Sequence, residues 1–600
     1  MTVEPFDPTE LCPVEERVLE YVATRQVARL SDAPPAIAGE AFDAHDWQGA
    51  AIRGEFVRAL LLQEVGLTLS KPEIAIHGAR IQGPVDLDLA SLDMHVAITN
   101  SSFESSLRLQ DARLRRLTLD GCSLRDVNVS RCRGEVMQAS GAHVLGTLWL
   151  EDADFVSVKF DDAVIESAPD QPAIAANVLR TSRSARFARV TVVGPSTFIG
   201  VGVGGQLVLR NASFSLHPTP DADGRHTTDG LLLTLHEACI DRSLYLRETR
   251  FDARVSISGT KVGGRLDARG ASFLGTSRSL DLKATRIERS LQLDDAHFSG
   301  QCRAENSRVG DYLSLASATF GGWGTDISEG VPPSSVIATD EGNDDDPEPP
   351  VVDEAFLDLT GAVVAGALDL RLDTAPGTHG LIRLGHASVG LLRDAPGVWK
   401  HVTPDLDGFR YGWLPVDSFG WTLEERITWI DRQEEFSARP YEELGRLLRD
   451  SGRRADARTA LFRRDKRARR SRGPFRRAIG WFFEIFAGYG YRLGRVATWL
   501  LAVWLLGGLL WHGAWNAGVV VSSSGASELC PPTAACFHAL ALSADTLVPV
   551  VRLGQADQWH IQGSTGAAFW YRFLPWALIG LGWLLTTAAV AGFGRLLSRE

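Results

Sequence analysis

The sequence predicts a mainly β fold, a parallel β-helix with helices before and after it, and three observations carry that prediction. An apolar beat recurs every ten or eleven residues from Ile74 to Leu392, as in Leu244-x-Leu246…Phe251, Leu266…Phe273, Leu291-x-Leu293…Phe298 and Leu313-x-Leu315…Phe320. Period-two apolar pairs are strand signals, and a short period held over hundreds of residues marks a stacked repeat. A small residue stands two places before a bulky one in unit after unit: Ala271 before Phe273, Ala296 before Phe298, Ala318 before Phe320. Between Leu107 and Cys132 the register tightens to a strict step of five. One inward series runs Leu107, Ala112, Leu117, Cys122, Val127, Cys132, and a second runs Leu109, Leu114, Leu119, Leu124, Val129.

Five residues per side and four sides give about twenty residues per coil, stacked at about 4.8 Å. The pattern resembles the pentapeptide-repeat family, with an extra corner residue in most half-coils. That resemblance implies a right-handed parallel quadrilateral β-helix, here over residues 71–394. Cys122, Cys132, Cys239 and Cys302 fall in the repeat and read as small core residues.

At 600 residues the chain exceeds one domain. A net charge of −12 disfavours bulk nucleic-acid binding, and none is assigned. Plentiful Arg, Ala, Gly and Asp with scarce Lys suggest a bacterial, GC-rich source. The first residues carry no basic-then-apolar secretory signal, so the bulk of the chain is expected in the cytoplasm.

Along the chain, residues 1–70 hold two amphipathic helical patterns, 13–31 and 47–64, with Val18, Tyr21 and Val22 on one face of the first. They are expected to cap the first coil, because open strand ends invite edge-to-edge association. Polar stretches at 215–229 and 321–353 interrupt the solenoid, the second acidic and Pro-rich enough to be disordered. After 394 comes an aromatic turn region, then Pro440-Tyr441-Glu442-Glu443-Leu444 opens an αα-hairpin broken at Ser451-Gly452. The hairpin resembles a single tetratricopeptide-type unit. Segment 395–478 ends in a basic run, and Arg463, Arg464, Lys466, Arg467, Arg469, Arg470, Arg472, Arg476 and Arg477 are expected to meet lipid headgroups.

Residues 479–600 form a two-span membrane domain. Val496–Trp515 and Phe573–Gly594 are free of charge and long enough to cross a bilayer. The basic run before the first span and Arg595 and Arg599 after the second place both termini in the cytoplasm of a plasma-membrane protein. Loop 516–567 then lies outside, where Cys530 and Cys536 either pair or remain two thiols.

Searching for chemistry, we assign no catalytic residue, metal or cofactor. Gly200-Val201-Gly202-Val203-Gly204-Gly205 leads into another strand unit, not a helix, and reads as tight corners. Between the spans, a short apolar helix followed by a turn resembles the pore helix of two-span cation channels. Ser543, Asp545, Thr546 and Leu547 match its Ser-x-x-Thr-Leu pattern. Pro549 and Arg552 then stand where filter carbonyls should be, ahead of Gly554 and Gln555. The loop is either a re-entrant pore segment of other selectivity or purely structural.

The layout as a whole is similar to uncharacterised bacterial proteins labelled membrane-associated oxidoreductases. They share the helical cap, the rungs, the Asp405–Tyr411 turn, the Arg-ended hairpin and the Leu547–Gln555 signature. That label implies redox chemistry. The residues themselves favour a membrane-anchored scaffold or sensor whose rod meets protein partners, with membrane lipids as its other contact and a homo-oligomer as an open arrangement. A two-span channel with a cytoplasmic assembly domain is the alternative.

Overall fold

A computed structural model describes residues 11–24, 26–32, 49–65, 73–217, 230–321, 355–373, 380–418, 420–470, 493–523, 530, 536–548, 553–563 and 566–597. The chain divides into two compact units, Met1–Glu434 and Glu435–Glu600.

The first unit is a parallel β-solenoid of about 13 turns, the number of strands in its 13-stranded sheet. Strands from successive turns pair in register: Leu107 with Val127, Val127 with Leu148, Leu148 with Ile174. A 12-stranded sheet forms another side, and a 21-stranded sheet covers the remaining two. In the early turns one six-residue strand crosses both of those sides, as in Arg113–Thr118, Arg133–Gln138 and Asp154–Lys159. From Arg180–Thr181 and Ala185–Arg186 onward the strand splits, each half keeping its own ladder until Val363–Asp369 rejoins them. At about 4.8 Å per turn the stack runs roughly 58 Å.

The core is the stacked inward column. Both five-step series are buried along their whole length. Phe214, Phe251, Phe273, Phe298 and Phe320 form one continuous pile, with centroids 4.9–5.3 Å apart and rings within 20° of parallel. Ala271, Ala296 and Ala318 are buried two positions earlier, where only a small side chain leaves room for the turn. Each fully buried Leu or Phe contributes about 1.5–3 kcal/mol of transfer free energy. Corners demand a left-handed residue turn after turn, as at Asp111, Arg131 and Asp152. Val178, with φ 59°, takes the same place although a branched side chain costs about 1–2 kcal/mol there. Gly204 sits at a close approach of turns: a Cβ there would lie 2.6 Å from the Ser182 carbonyl oxygen.

The long interruptions leave the solenoid at corners. Thr197 pairs with Thr234 across the first, and Arg303 with Asp358 across the second. Most of both, 218–229 and 322–354, lies outside the described residues.

Four expectations need correction. Of the two helical patterns, only Pro13–Ala23 and Gly54–Leu61 are helices. Ala28–Arg29 and Ala51–Arg53 are strands that pair with Ile76–His77 and Arg80–Gln82, because an exposed strand edge beside them offers unpaired backbone groups. Val18 and Val22 are buried as expected, but Tyr21 is exposed. The solenoid does not stop at 394. Val402–Asp405 and Arg410–Trp413 continue two ladders, so the aromatic turn region supplies the last rung. Cys122, Cys132 and Cys302 are buried, whereas Cys239 is exposed, one residue out of phase with inward Ile240. Burial pushes the Cys122 and Cys132 thiols up to about 12, as expected of inert core residues.

Polar locks hold both ends. At the first, Glu15 is fully buried and accepts from Arg53 Nη2 at 2.8 Å, Arg53 Nε at 3.0 Å and the Cys12 N–H at 3.0 Å. At the last, Arg426 and Asp394 are both fully buried and joined by two bonds of 2.9 Å. Arg426 also lies 3.4 Å from the centroid of the Trp421 ring and 4.9 Å from that of Trp429, and Trp399 Nε1 donates to Asp394 at 2.8 Å.

In the second unit, Arg439–Asp450 and Arg454–Arg470 form the expected hairpin around buried Tyr441, Leu444, Leu448, Ala460 and Leu461, with Gly452 at φ 77° in the turn.

Replacing Arg426 with Ala strands the Asp394 carboxylate in the core. We expect a loss of about 3–5 kcal/mol, read as a lower thermal midpoint of the β signal in circular dichroism. Arg426→Lys, which keeps the charge but not the fork, should fall between. A pH effect is expected at the other end. Burial raises the Glu15 carboxyl, but the Arg53 guanidinium and two backbone N–H groups more than offset this, so Glu15 sits below the ordinary range. Its stabilisation is therefore full above the unfolded value, about 4.3, and lost as pH falls through the lower folded value. Hydrogen exchange of Pro13–Ala23, corrected for intrinsic rate, should lose protection across that window in the native chain and show no such step in Glu15→Gln.

Candidate functional site

The expected site residues gather in the segment between two apolar helices, Leu493–Asn516 and Leu574–Leu597. Both are long and apolar enough to cross a membrane. A short helix, Ala539–Leu547, packs against both of them. Apolar side chains make this possible: Trp511, Phe537, Leu542, Leu547, Trp559 and Leu578 form one buried cluster. Val520–Ser522 and Trp559–Ile561 pair antiparallel beside it.

Close contact between the three helices depends on glycine. A Cβ on Gly582 would collide with the Leu547 carbonyl, and one on Gly507 with Ser543 Oγ. These glycines were not singled out from the sequence. Their signal was the Gly-Gly and Gly-x-Gly spacing inside otherwise apolar runs, as helix contacts in lipid favour.

Each described polar side chain expected to line a pathway has an internal task. Ser543 is fully buried, and its hydroxyl donates to the Trp504 carbonyl at 2.9 Å, as a buried hydroxyl must find an acceptor. Trp504 Nε1 donates back to the Leu540 carbonyl at 2.9 Å. Thr546 donates to the Leu542 carbonyl at 2.8 Å within its own helix. Asp545 accepts from the N–H groups of Leu553 and Ala556, both at 2.8 Å, and so closes the following turn. Gly554 provides that turn's φ of 74°. Gln555 donates to the Cys536 carbonyl at 3.1 Å and accepts from the His538 N–H at 3.2 Å. Cys530 and Cys536 are disulfide-bonded. Pro549 and Arg552 lie outside the described residues.

The basic run is divided in use. Arg464 is bound to Glu442 at 2.7 Å and to Asp465 at 2.8 Å, and Arg467 donates to Tyr441 Oη at 3.3 Å. Arg463 and Lys466 stand on the same helix, whose backbone also carries Arg469 and Arg470; Arg472, Arg476 and Arg477 lie outside the described residues. Among the described residues, no three His, Cys, Asp or Glu side chains converge as a metal would require.

The arrangement can clamp two apolar helices at one end through a wedge helix, a disulfide and a carboxylate-closed turn. Gly582→Ala should loosen it by about 1–3 kcal/mol, read as a lower unfolding midpoint in detergent. Gly580→Ala, two residues away with open space around it, should leave the midpoint in place. Equal effects would contradict the wedge. No family model matches this chain, and neither does any curated protein.

Proposed function

We propose that the protein is a membrane-anchored β-solenoid scaffold or sensor that presents a cytoplasmic solenoid to protein partners. The observation that carries this reading is the outward surface of the two apolar helices. Leu505, Leu506, Leu509, Trp576, Trp583 and Leu584 are exposed, and only 22% of each span is buried. So much bare apolar surface is stable in lipid and costly in water. Trp499 and Trp570 are also exposed and suit the interface with headgroups.

The positive-inside rule supports cytoplasmic termini, with the basic residues of Arg454–Arg470 preceding the first span and Arg595 following the second. The disulfide supports an oxidising compartment for the loop. For the solenoid we propose a right-handed, pentapeptide-repeat-like coil; the step of five and the right-handed bias of parallel crossovers support it. The outer faces carry ion pairs between turns, such as Arg131–Asp111 at 2.8 Å, as water-facing recognition surfaces do.

The exposed thiol of Cys239 makes a natural topology probe. In a Cys12→Ser background, a membrane-impermeant maleimide should label it only after spheroplasts are permeabilised, and Cys239→Ser should remove that signal. Labelling of Cys239 in intact spheroplasts would reject the cytoplasmic solenoid.

A further inference from the structure

One side of the solenoid changes character over three turns. Arg210, Arg247 and Arg269 occupy the same register position on consecutive turns, as the bonds from the Asn211 N–H to the Arg247 carbonyl and from the Glu248 N–H to the Arg269 carbonyl show. Their repeat is therefore about 4.8 Å. With Arg186, Arg265 and Tyr245 they line a surface trough of about 310 Å³. A protein of net charge −12 thus gathers five guanidinium groups in one concavity.

Three of the five are neutralised locally. Arg186 pairs with Asp161 at 3.0 Å, Arg247 with Glu248 at 3.1 Å, and Arg269 with nearly buried Asp267 at 2.8 Å. Among the described residues, Arg210 and Arg265 make no direct ion pair, although Asp267, which also lines the trough, attracts Arg265 at longer range. Arg265 is nonetheless held in place: its guanidinium lies 5.3 Å from the Tyr245 ring centroid and donates to Tyr245 Oη at 3.3 Å. A stacked guanidinium loses less rotamer freedom when it takes a ligand. The floor between them includes buried Val208, which keeps water from screening the pair fully.

We propose that this trough binds a small multivalent phosphate-type oxyanion, with Arg210 and Arg265 as its main charge partners and the Arg247–Arg269 pair as flanking donors. Guanidinium groups repeating along the trough can share the oxygens of one di- or triphosphate, and bidentate guanidinium–phosphate bonds are the strong charge-assisted kind. The ladder is short. The next position after Arg269 is Asp294, and the one before Arg210 is Ala188. A long polyanion lying along this face would run onto Asp294, the next position of the ladder, and into a neighbouring trough where Asp311 and Asp369 are mixed with Arg371 and Arg393. The size and charge of the site therefore favour a small ligand over a nucleic acid.

The test is calorimetric titration of the full chain in mild detergent, at about 0.15 M salt to screen loose surface attraction. Inorganic pyrophosphate, tripolyphosphate, orthophosphate and a single-stranded oligonucleotide serve as probes. We expect saturable binding of pyrophosphate or tripolyphosphate, tighter than orthophosphate, and at least about tenfold weaker in Arg210→Ala and in Arg265→Ala, or about 1.4 kcal/mol. Arg289→Ala, an exposed arginine outside the trough paired with Asp311, should bind as the native chain does. Absence of saturable binding, equal weakening in Arg289→Ala, or tighter binding of the oligonucleotide that survives the trough substitutions would each overturn the proposal. Unchanged circular dichroism of the variants separates loss of the site from loss of the fold.

Discussion

Side chains from one turn of the solenoid can be dry only if the next turn covers them, and every other feature of the first unit answers to that constraint. An isolated turn of about twenty residues exposes both its strand edges and its apolar row. Stacking closes both at once: the backbone ladders pair every strand with its neighbour, and the inward row becomes a continuous column such as Phe214 to Phe320. The register cannot slip by one residue without turning the column outward. Extra residues are consequently taken up in local bulges, as between Leu92 and His95, or at corners, where each of the two long interruptions leaves the 12-stranded sheet and re-enters at the 13-stranded one.

The same constraint makes the ends the costly places, since the first and last turns have a neighbour on one side only. The chain answers with ion pairs, one half-buried and one fully buried, rather than with more apolar surface. Glu15–Arg53 ties the first helix to an early strand, and Asp394–Arg426, clasped by Trp421 and Trp429, closes the far end. A buried pair adds little net stability over an apolar substitute. It does fix geometry, and a terminal turn needs its direction fixed. The clamp between the apolar helices follows a similar logic at smaller scale. Asp545 and Gln555 satisfy backbone groups in the segments flanking the short loop helix, and Ser543 ties that helix to the Trp504 carbonyl of the first apolar helix.

The solenoid was legible because its signal is periodic: the five-step series and the Ala-x-Phe pairs repeat often enough to set the register by themselves. The two apolar helices were legible from length and composition. Short strands near the ends were not. Ala28–Arg29 and Ala51–Arg53 have too few residues to show alternation and sit beside helix-forming sequence, so tertiary pairing decided them. The last rung was hidden by turn-rich aromatics, and the Asp394–Arg426 lock by a separation of 32 residues. In the loop, sequence located Ser543, Asp545, Thr546 and Gln555 but gave their partners no expression, because a hydrogen bond to a distant carbonyl leaves no local pattern. The arginine trough was invisible for the same reason: its members are 22 to 37 residues apart, and only the turn length brings Arg210, Arg247 and Arg269 into line.

The most direct test of turn-on-turn stacking is cross-linking by engineered cysteines in a background with Cys12 and Cys239 replaced by Ser. Arg250 and Ser272 are register partners on adjacent turns, and His297 is the partner of Ser272 one turn further. Adjacent turns are about 4.8 Å apart, inside the range of roughly 4.4–6.8 Å that a disulfide spans. Arg250→Cys with Ser272→Cys should therefore oxidise to a cross-link readily, and Arg250→Cys with His297→Cys should not. Equal cross-linking of the two pairs, or cross-linking of the second alone, would contradict the stack.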